Sequence, residues 1–265
     1  MKRAFKLMLL YARVSIQNFA AYRMDLFARP FVSLMHLASE LLGIWIIFSN
    51  TQSIRGWKWQ HMLVIAGVYR IVAGGIRIYI VPNMRMVLED IRSGGLDFVL
   101  LRPVNSQLLV SIREVVIWRV VDLLLGFSVA LYGCIQLTGQ VPVGQIFSFT
   151  ALLACAFVIV YSIWLALATL CFWFVRIANI EMIFWNVFEA GKYPIMIYPP
   201  WLQWSLTFLI PLAFITTLPA AAFVGETNQI LSAAPLWAAG LAISSFILSA
   251  WFWRFGLRRY SGASA

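Results

Sequence analysis

Residues 146–175, IFSFTALLACAFVIVYSIWLALATLCFWFV, run without a single charged side chain. At about 1.5 Å per residue, a helix of this length more than spans the roughly 30 Å hydrocarbon core of a bilayer. The stretch is not exceptional in its surroundings. Of 265 residues, 62% are hydrophobic and only 11% are charged, and the mean hydropathy is +0.86. A soluble domain of this size has too little interior to hide so much apolar surface, so lipid must be the solvent. The expected class is an all-α integral membrane protein.

Working outward from this fourth span, residues 115–137 form a third, joined to it by the short uncharged turn 138–144. Residues 61–81 form a second span and residues 27–48 a first. Between those two lies a polar loop, 50–60, in which Trp57 and Trp59 are expected to anchor at the membrane interface. At the N-terminus, Lys2, Lys6, Arg13 and Gln17 fall on one narrow helical arc. Residues 1–25 therefore read as an amphipathic helix lying in the interface, its basic stripe toward the phosphates. Arg13, Gln17 and Arg23 interrupt the apolar residues there and no small-residue cleavage site follows, so no cleavable signal peptide is evident. The last span is residues 234–253, ending at Arg254, Arg258 and Arg259.

The fifth span has two readings. Hydropathy alone selects residues 201–224, which Pro200, Pro211 and Pro219 bracket and break. Residues 177–197 are also apolar enough to cross, but carry Glu181, Glu189 and Lys192. Either choice gives six spans with both ends on one side. The distribution of Lys and Arg fixes the side, in a chain of net charge +10. With the ends inside, fourteen or fifteen of the 20 basic residues are cytoplasmic and two or three are external, while Arg70, Arg77 and Arg119 lie within spans. In such a chain the excess reports loops against anionic lipid heads, and nucleic-acid binding is not expected.

Charges at membrane depth cost about 2.5–3.5 kcal/mol each on insertion scales, so each needs a reason. His36 and Glu40 share a face of the first span, Arg70 and Arg77 a face of the second, and Arg119 and Asp122 are spaced to pair along the third. They form either a translocation path or structural ion pairs and snorkelling side chains, with Glu40 the hardest to explain structurally. His36 and His61 lack metalloprotease spacing and no G-x-S-x-G is present. Gly191-Lys192 echoes a phosphate loop, but Asn186 and Tyr193 occupy the positions that loop needs as Gly and Ser/Thr. Cys134, Cys155 and Cys171 have no metal-like spacing. No metal site and no catalytic set are expected.

The stretch 84–113 differs from the rest: it is charged and broken by Gly94-Gly95 and Pro103. It reads Glu89-Asp90-Ile91-Arg92-Ser93-Gly94-Gly95-Leu96-Asp97, then Leu100-Leu101-Arg102-Pro103. A second motif follows later: Tyr193-Pro194, Pro200-Trp201-Leu202 and Pro211-Leu212. In order and spacing the two resemble the type 2 ABC exporter permeases, six-span subunits that lack an ATPase domain of their own.

That resemblance implies a cytoplasmic coupling segment at 84–104. Glu89, Asp90 and Arg92 would dock on a separate ATPase, expected in two copies, and Gly94-Gly95 would turn the chain back. It also implies a fifth span at 177–197 and a re-entrant outer hairpin at 198–224, marked by Pro194, Pro200, Trp201 and Pro211. Glu181, Glu189 and Lys192 make this span more polar than the family norm. ATP and Mg would be bound by the partner, with no cofactor on this chain. A second permease, identical or homologous, would complete the complex in a bacterial inner membrane with both termini cytoplasmic. The expected activity is efflux of a hydrophobic, amphipathic or cationic compound. The alternative is a secondary transporter or channel with His36, Glu40 and Asp122 as an ion relay.

Overall fold

An apolar chain in lipid must close its backbone hydrogen bonds within its own segments, and regular structure here is accordingly helical. The computed structural model describes residues 23–174, 179–225 and 229–260, so the expected interfacial helix lies outside the described residues up to residue 22. The helices are α1 (Arg23–Ser49), α2 (Trp59–Gly75), α3 (Val81–Ser93), α4 (Leu96–Leu100), α5 (Ser106–Ser111) and α6 (Val120–Thr138). They continue with α7 (Val143–Leu170), α8 (Ile180–Phe188), α9 (Pro200–Trp204), α10 (Leu218–Val224) and α11 (Gln229–Leu257). Among the described residues, five stretches are long and apolar enough to cross a bilayer: Ala28–Ser49, Trp59–Ser93, Ile117–Thr138, Val143–Leu170 and Ala233–Leu257. The fold is an all-α integral membrane fold.

The second span does not stop near Val81. Helices α2 and α3 join through a π-turn at Ile76–Ile80 into one helix, Trp59–Ser93. Of its most apolar window 83% is buried, against 11% for the window of α1, which makes it the axis of the bundle. Pro82 explains the π-turn. It has no N–H for the carbonyl of Ile78, and the N–H of Val116 takes that carbonyl instead at 2.9 Å. Asn83, wholly buried, donates to the carbonyls of Tyr79 and Glu114, both at 2.7 Å. Its Oδ1 accepts from the N–H groups of Arg113 and Glu114 at 2.7 and 2.9 Å. The polar sequence after Val81 thus remains helical, with the return of the chain at residues 113–116 pinned onto it.

Helices α2 and α6 pack backbone to backbone. A Cβ on Gly67 would lie 2.5 Å from the Gly126 carbonyl oxygen, and one on Gly126 would lie 2.8 Å from that of Gly67. Small residues at a membrane crossing permit this approach. Two turns further along, Gly74 faces the Cβ of Asp122, so the same crossing brings that carboxylate against α2.

Residues 180–198 run antiparallel to the α2–α3 helix. Glu181 pairs with Arg85 at 2.6 Å, Trp185 lies under Arg77, Phe188 stacks on Tyr69, and the carbonyl of Met196 accepts from Arg55 at 2.6 Å. Over its described part, the expected fifth span at 177–197 is therefore not one continuous helix. It consists of α8, a 3-10 turn at Glu189–Lys192 and a second at Ile195–Ile197. Pro194 causes the break by forcing Tyr193 into an extended conformation. Beyond it, Pro200–Leu209 and Ala213–Val224 form a pair bent by 77° around Pro211. Both ends of this pair lie at one end of the bundle, since Tyr198 meets Arg55 and Gly225 abuts Gln145 near the start of α7. Pro200 sits in the first turn of α9, and Trp201 faces outward.

Trp57 corrects an expectation. It is buried, 5% exposed, within the core near Met62, and only Trp59 is exposed. Arg55 and Gly56 both have positive φ and close a tight turn, with Ile54 and Trp57 exchanging hydrogen bonds at 3.0 Å. That turn folds the indole inward. The glycine crossing yields a test. Gly126→Ala should destabilise the detergent-solubilised protein by about 1–3 kcal/mol, the range of overpacked cores. Gly43→Ala, with nothing within 4 Å, should be neutral or slightly stabilising in the same thermal unfolding measurement.

Candidate functional site

The α2–α6 crossing and the fifth traverse leave a cavity of about 840 Å³ between α1, α2, the start of α6 and α8. His36, Glu40, Arg70, Arg77, Arg119 and Asp122, the six polar residues expected in the spans, all line it. They arrive from three different helices because a charge in a membrane segment faces the bundle interior and seeks a partner there.

Asp122 is the hub. It is 3% exposed and its Oδ1 accepts from the Ser33 hydroxyl at 2.5 Å. Arg70 lies 3.5 Å from the same oxygen, and Arg119 donates to Oδ2 at 3.2 Å. Arg70 also donates to Glu40 Oε2 at 3.1 Å and to the Ser33 carbonyl at 3.3 Å. One buried network therefore ties α1 to α2 and α6. The expected pairing of Arg119 with Asp122 is present, and Arg70 supplies the partner for Glu40 that the sequence left open.

Three more charged groups of the cavity come from the fifth traverse, which was expected only as a span. Glu181 accepts two bonds from Arg85, at 2.7 and 2.6 Å, and one from the Trp185 indole N–H at 3.4 Å. Glu189 pairs with Lys192 at 2.7 Å. Cations also rest on aromatic rings: Arg77 over Trp185 at 4.5 Å, Arg119 over Trp118 at 4.0 Å and Lys192 over Tyr69 at 5.5 Å. A second, apolar pocket of about 220 Å³ adjoins the first, sharing Ile44, Lys192 and Tyr193 with it. Among the described residues, no group of His, Cys, Asp and Glu could hold a metal ion.

The segment expected to couple to a partner lies at the far end of the axial helix. Glu89 and Arg92 are exposed in the last turns of α3. Asp90 is instead engaged within the chain, paired with Arg113. Gly94 ends α3 in the left-handed conformation, φ 76°, and Gly95 follows, where a Cβ would lie 3.0 Å from the Asp90 carboxylate. Leu96 is fully buried, Asp97 stands in the first turn of α4, and Pro103 is exposed in the turn beyond it. Sequence reading missed Phe98 and Leu101, which project outward at 74% and 81% exposure. The signal was available, since the pair stands three residues apart, opposite the buried Leu96 and Val99.

Removing one member of a buried ion-pair network leaves its partners uncompensated, at about 3–5 kcal/mol. Asp122→Ala should therefore lower the detergent-solubilised protein's stability by that order in thermal unfolding. Glu189→Ala, which breaks an exposed pair, should cost under about 1 kcal/mol.

No curated protein matches the sequence significantly. Residues 34–264 match the family of ABC-2 family transporter proteins, a span that takes in most of the cavity, the axial helix, the bent pair and α11. The chain belongs to this family, as the membrane-embedded permease of an ABC transporter.

Proposed function

We propose that the chain is the permease of an ATP-driven exporter, moving an amphipathic substrate through the charged cavity while a separate ATPase subunit drives the cycle. The bias of basic residues toward both termini and the 84–104 segment supports a cytoplasmic location for them. The bent pair at 198–224 then reads as a re-entrant hairpin on the outer side. A second permease, identical or homologous, would face the cavity from across the complex.

One observation carries this reading: a single helix, Trp59–Ser93, bears both the cavity wall and the coupling segment. Arg70 and Arg92 lie about 33 Å apart along it. Asn83 and Asp90 lock residues 113 and 114 to this helix, so the start of α6 should follow it. A push at the coupling end then moves Arg70, Arg77, Arg119 and Asp122 together against Ser33 and Glu40 on α1. Only a few polar bonds join those two groups, and exchanging them opens or closes the cavity. The alternative ion relay is disfavoured, because Glu40 and Asp122 are both committed to Arg70.

The docking surface follows from the same geometry: Glu89, Arg92, Phe98 and Leu101 face outward, whereas Asp90 stabilises the segment from within. Affinity purification of the tagged chain in mild detergent should recover an ATPase subunit. Phe98→Ala with Leu101→Ala should reduce that recovery at least about tenfold, as loss of apolar anchors does, without changing thermal stability. Asp90→Ala should lower stability as well. A preparation free of ATPase that shows ion-gradient-driven flux in liposomes would overturn the exporter reading.

A further inference from the structure

The cavity's charges do not balance. Each of its four carboxylates has a basic partner: Glu40 and Asp122 share Arg70, Asp122 also has Arg119, Glu181 has Arg85, and Glu189 has Lys192. Arg77 pairs with none of them. Among the described residues it forms no hydrogen bond or ion pair; its guanidinium carbon lies over Trp185, 4.5 Å from the ring centroid, and its side chain is exposed toward the cavity. A guanidinium stacked by its face keeps its N–H edge free, in a fork that fits two oxygens of a planar or tetrahedral acid. A cation at membrane depth with no counter-charge is costly, and an incoming anion would supply one.

The aromatic rings argue in the same direction. Trp185, Trp118 and Tyr69 already carry Arg77, Arg119 and Lys192 on a ring face, which leaves a cationic ligand few rings to rest on besides Tyr193. The cavity's chemistry therefore favours an anionic compound over the expected cationic one. Beside the charged space lies the apolar pocket of about 220 Å³, with Ile47, Phe48 and Met62 in its wall. Because the two spaces share Ile44, Lys192 and Tyr193, one ligand can occupy both.

We infer that the cavity binds an acidic amphiphile, its anionic head on the free edge of Arg77 and its hydrocarbon tail in the apolar pocket. The inference rests on the cavity being the permease's substrate site and assigns that site a chemical class. The Glu40 oxygen Oε1, buried and without a hydrogen-bond partner, gives the site one acceptor for a hydroxyl on the head, as a protonated phosphate monoester carries. The acid is either a bilayer lipid or a soluble amphiphile, and the chemistry at Arg77 is the same for both.

The test is equilibrium binding to the purified chain in phosphatidylcholine nanodiscs, with dodecyl phosphate and dodecyltrimethylammonium as probes. The wild type should bind the phosphate at least about tenfold more tightly than the ammonium, the scale of one charge-assisted contact. Arg77→Gln should abolish that preference and Arg77→Lys should retain most of it. Equal or tighter binding of the ammonium, or unchanged phosphate binding in Arg77→Gln, would overturn the proposal. If Arg77→Gln does not fold, the wild-type preference decides alone. Nanodiscs containing phosphatidylglycerol separate the sources: displacement of dodecyl phosphate assigns the acid to a bilayer lipid, and no displacement assigns it to a soluble amphiphile. The binding assay needs no ATPase. Its failure with ATPase recovery intact would overturn the ligand class and leave the exporter reading standing.

Discussion

A carboxylate buried in the bilayer interior has to be answered, and the arrangement around Asp122 is the answer on which this structure depends. Ser33 from α1, Arg70 from α2 and Arg119 from its own helix converge on its two oxygens. Gly74 eases the approach, since a Cβ there would lie 3.2 Å from the Asp122 Cβ. Helix α1 contributes little buried apolar surface to the bundle, so its position rests largely on these polar bonds. Such a contact suits a moving part: apolar lipid-facing surface does not resist sliding, and a small set of ion pairs offers discrete alternative arrangements.

The axial helix gives the movement a lever. A proline in mid-helix ordinarily bends or breaks it, leaving a carbonyl without a donor. Here a π-turn absorbs the misfit, the Val116 N–H and the Asn83 side chain take up the loose carbonyls, and the helix continues. The repair also fastens the end of the coupling segment to the helix that leads back to the cavity. Arg77 lies within that same π-turn, so the least regular backbone of the axis carries a cavity arginine that has no acidic partner among the described residues. π-turns recur at functional positions in helices.

The sequence was informative wherever lipid imposes the outcome. Apolar runs had to become helices, and the long uncharged stretch of α7 announced itself. His36, Glu40, Arg70, Arg77, Arg119 and Asp122 could be singled out because a charge in a span cannot face hydrocarbon, and they converge on one cavity. Features set by local backbone geometry were hidden. Polar residues after Val81 suggested an end to the span, yet a helix leaving the membrane needs no apolar sequence to continue. The burial of Trp57 follows from positive φ at Arg55 and Gly56, which hydropathy does not register. The broken fifth traverse follows from Pro194, and three of the four bonds of Asn83 depend on residues about thirty positions away.

The central claim is that movement of the axial helix switches access to the cavity. Ser39 lines that cavity with its side chain exposed. The direct measurement is labelling of a Ser39→Cys variant, with Cys134, Cys155 and Cys171 replaced, by a membrane-impermeant anionic thiol reagent. It is made from each side of oriented vesicles holding the permease with its ATPase. The account predicts labelling from the coupling-segment side without nucleotide and from the opposite side when the ATPase is trapped with ATP. Labelling from the same side and at the same rate in both states would contradict it.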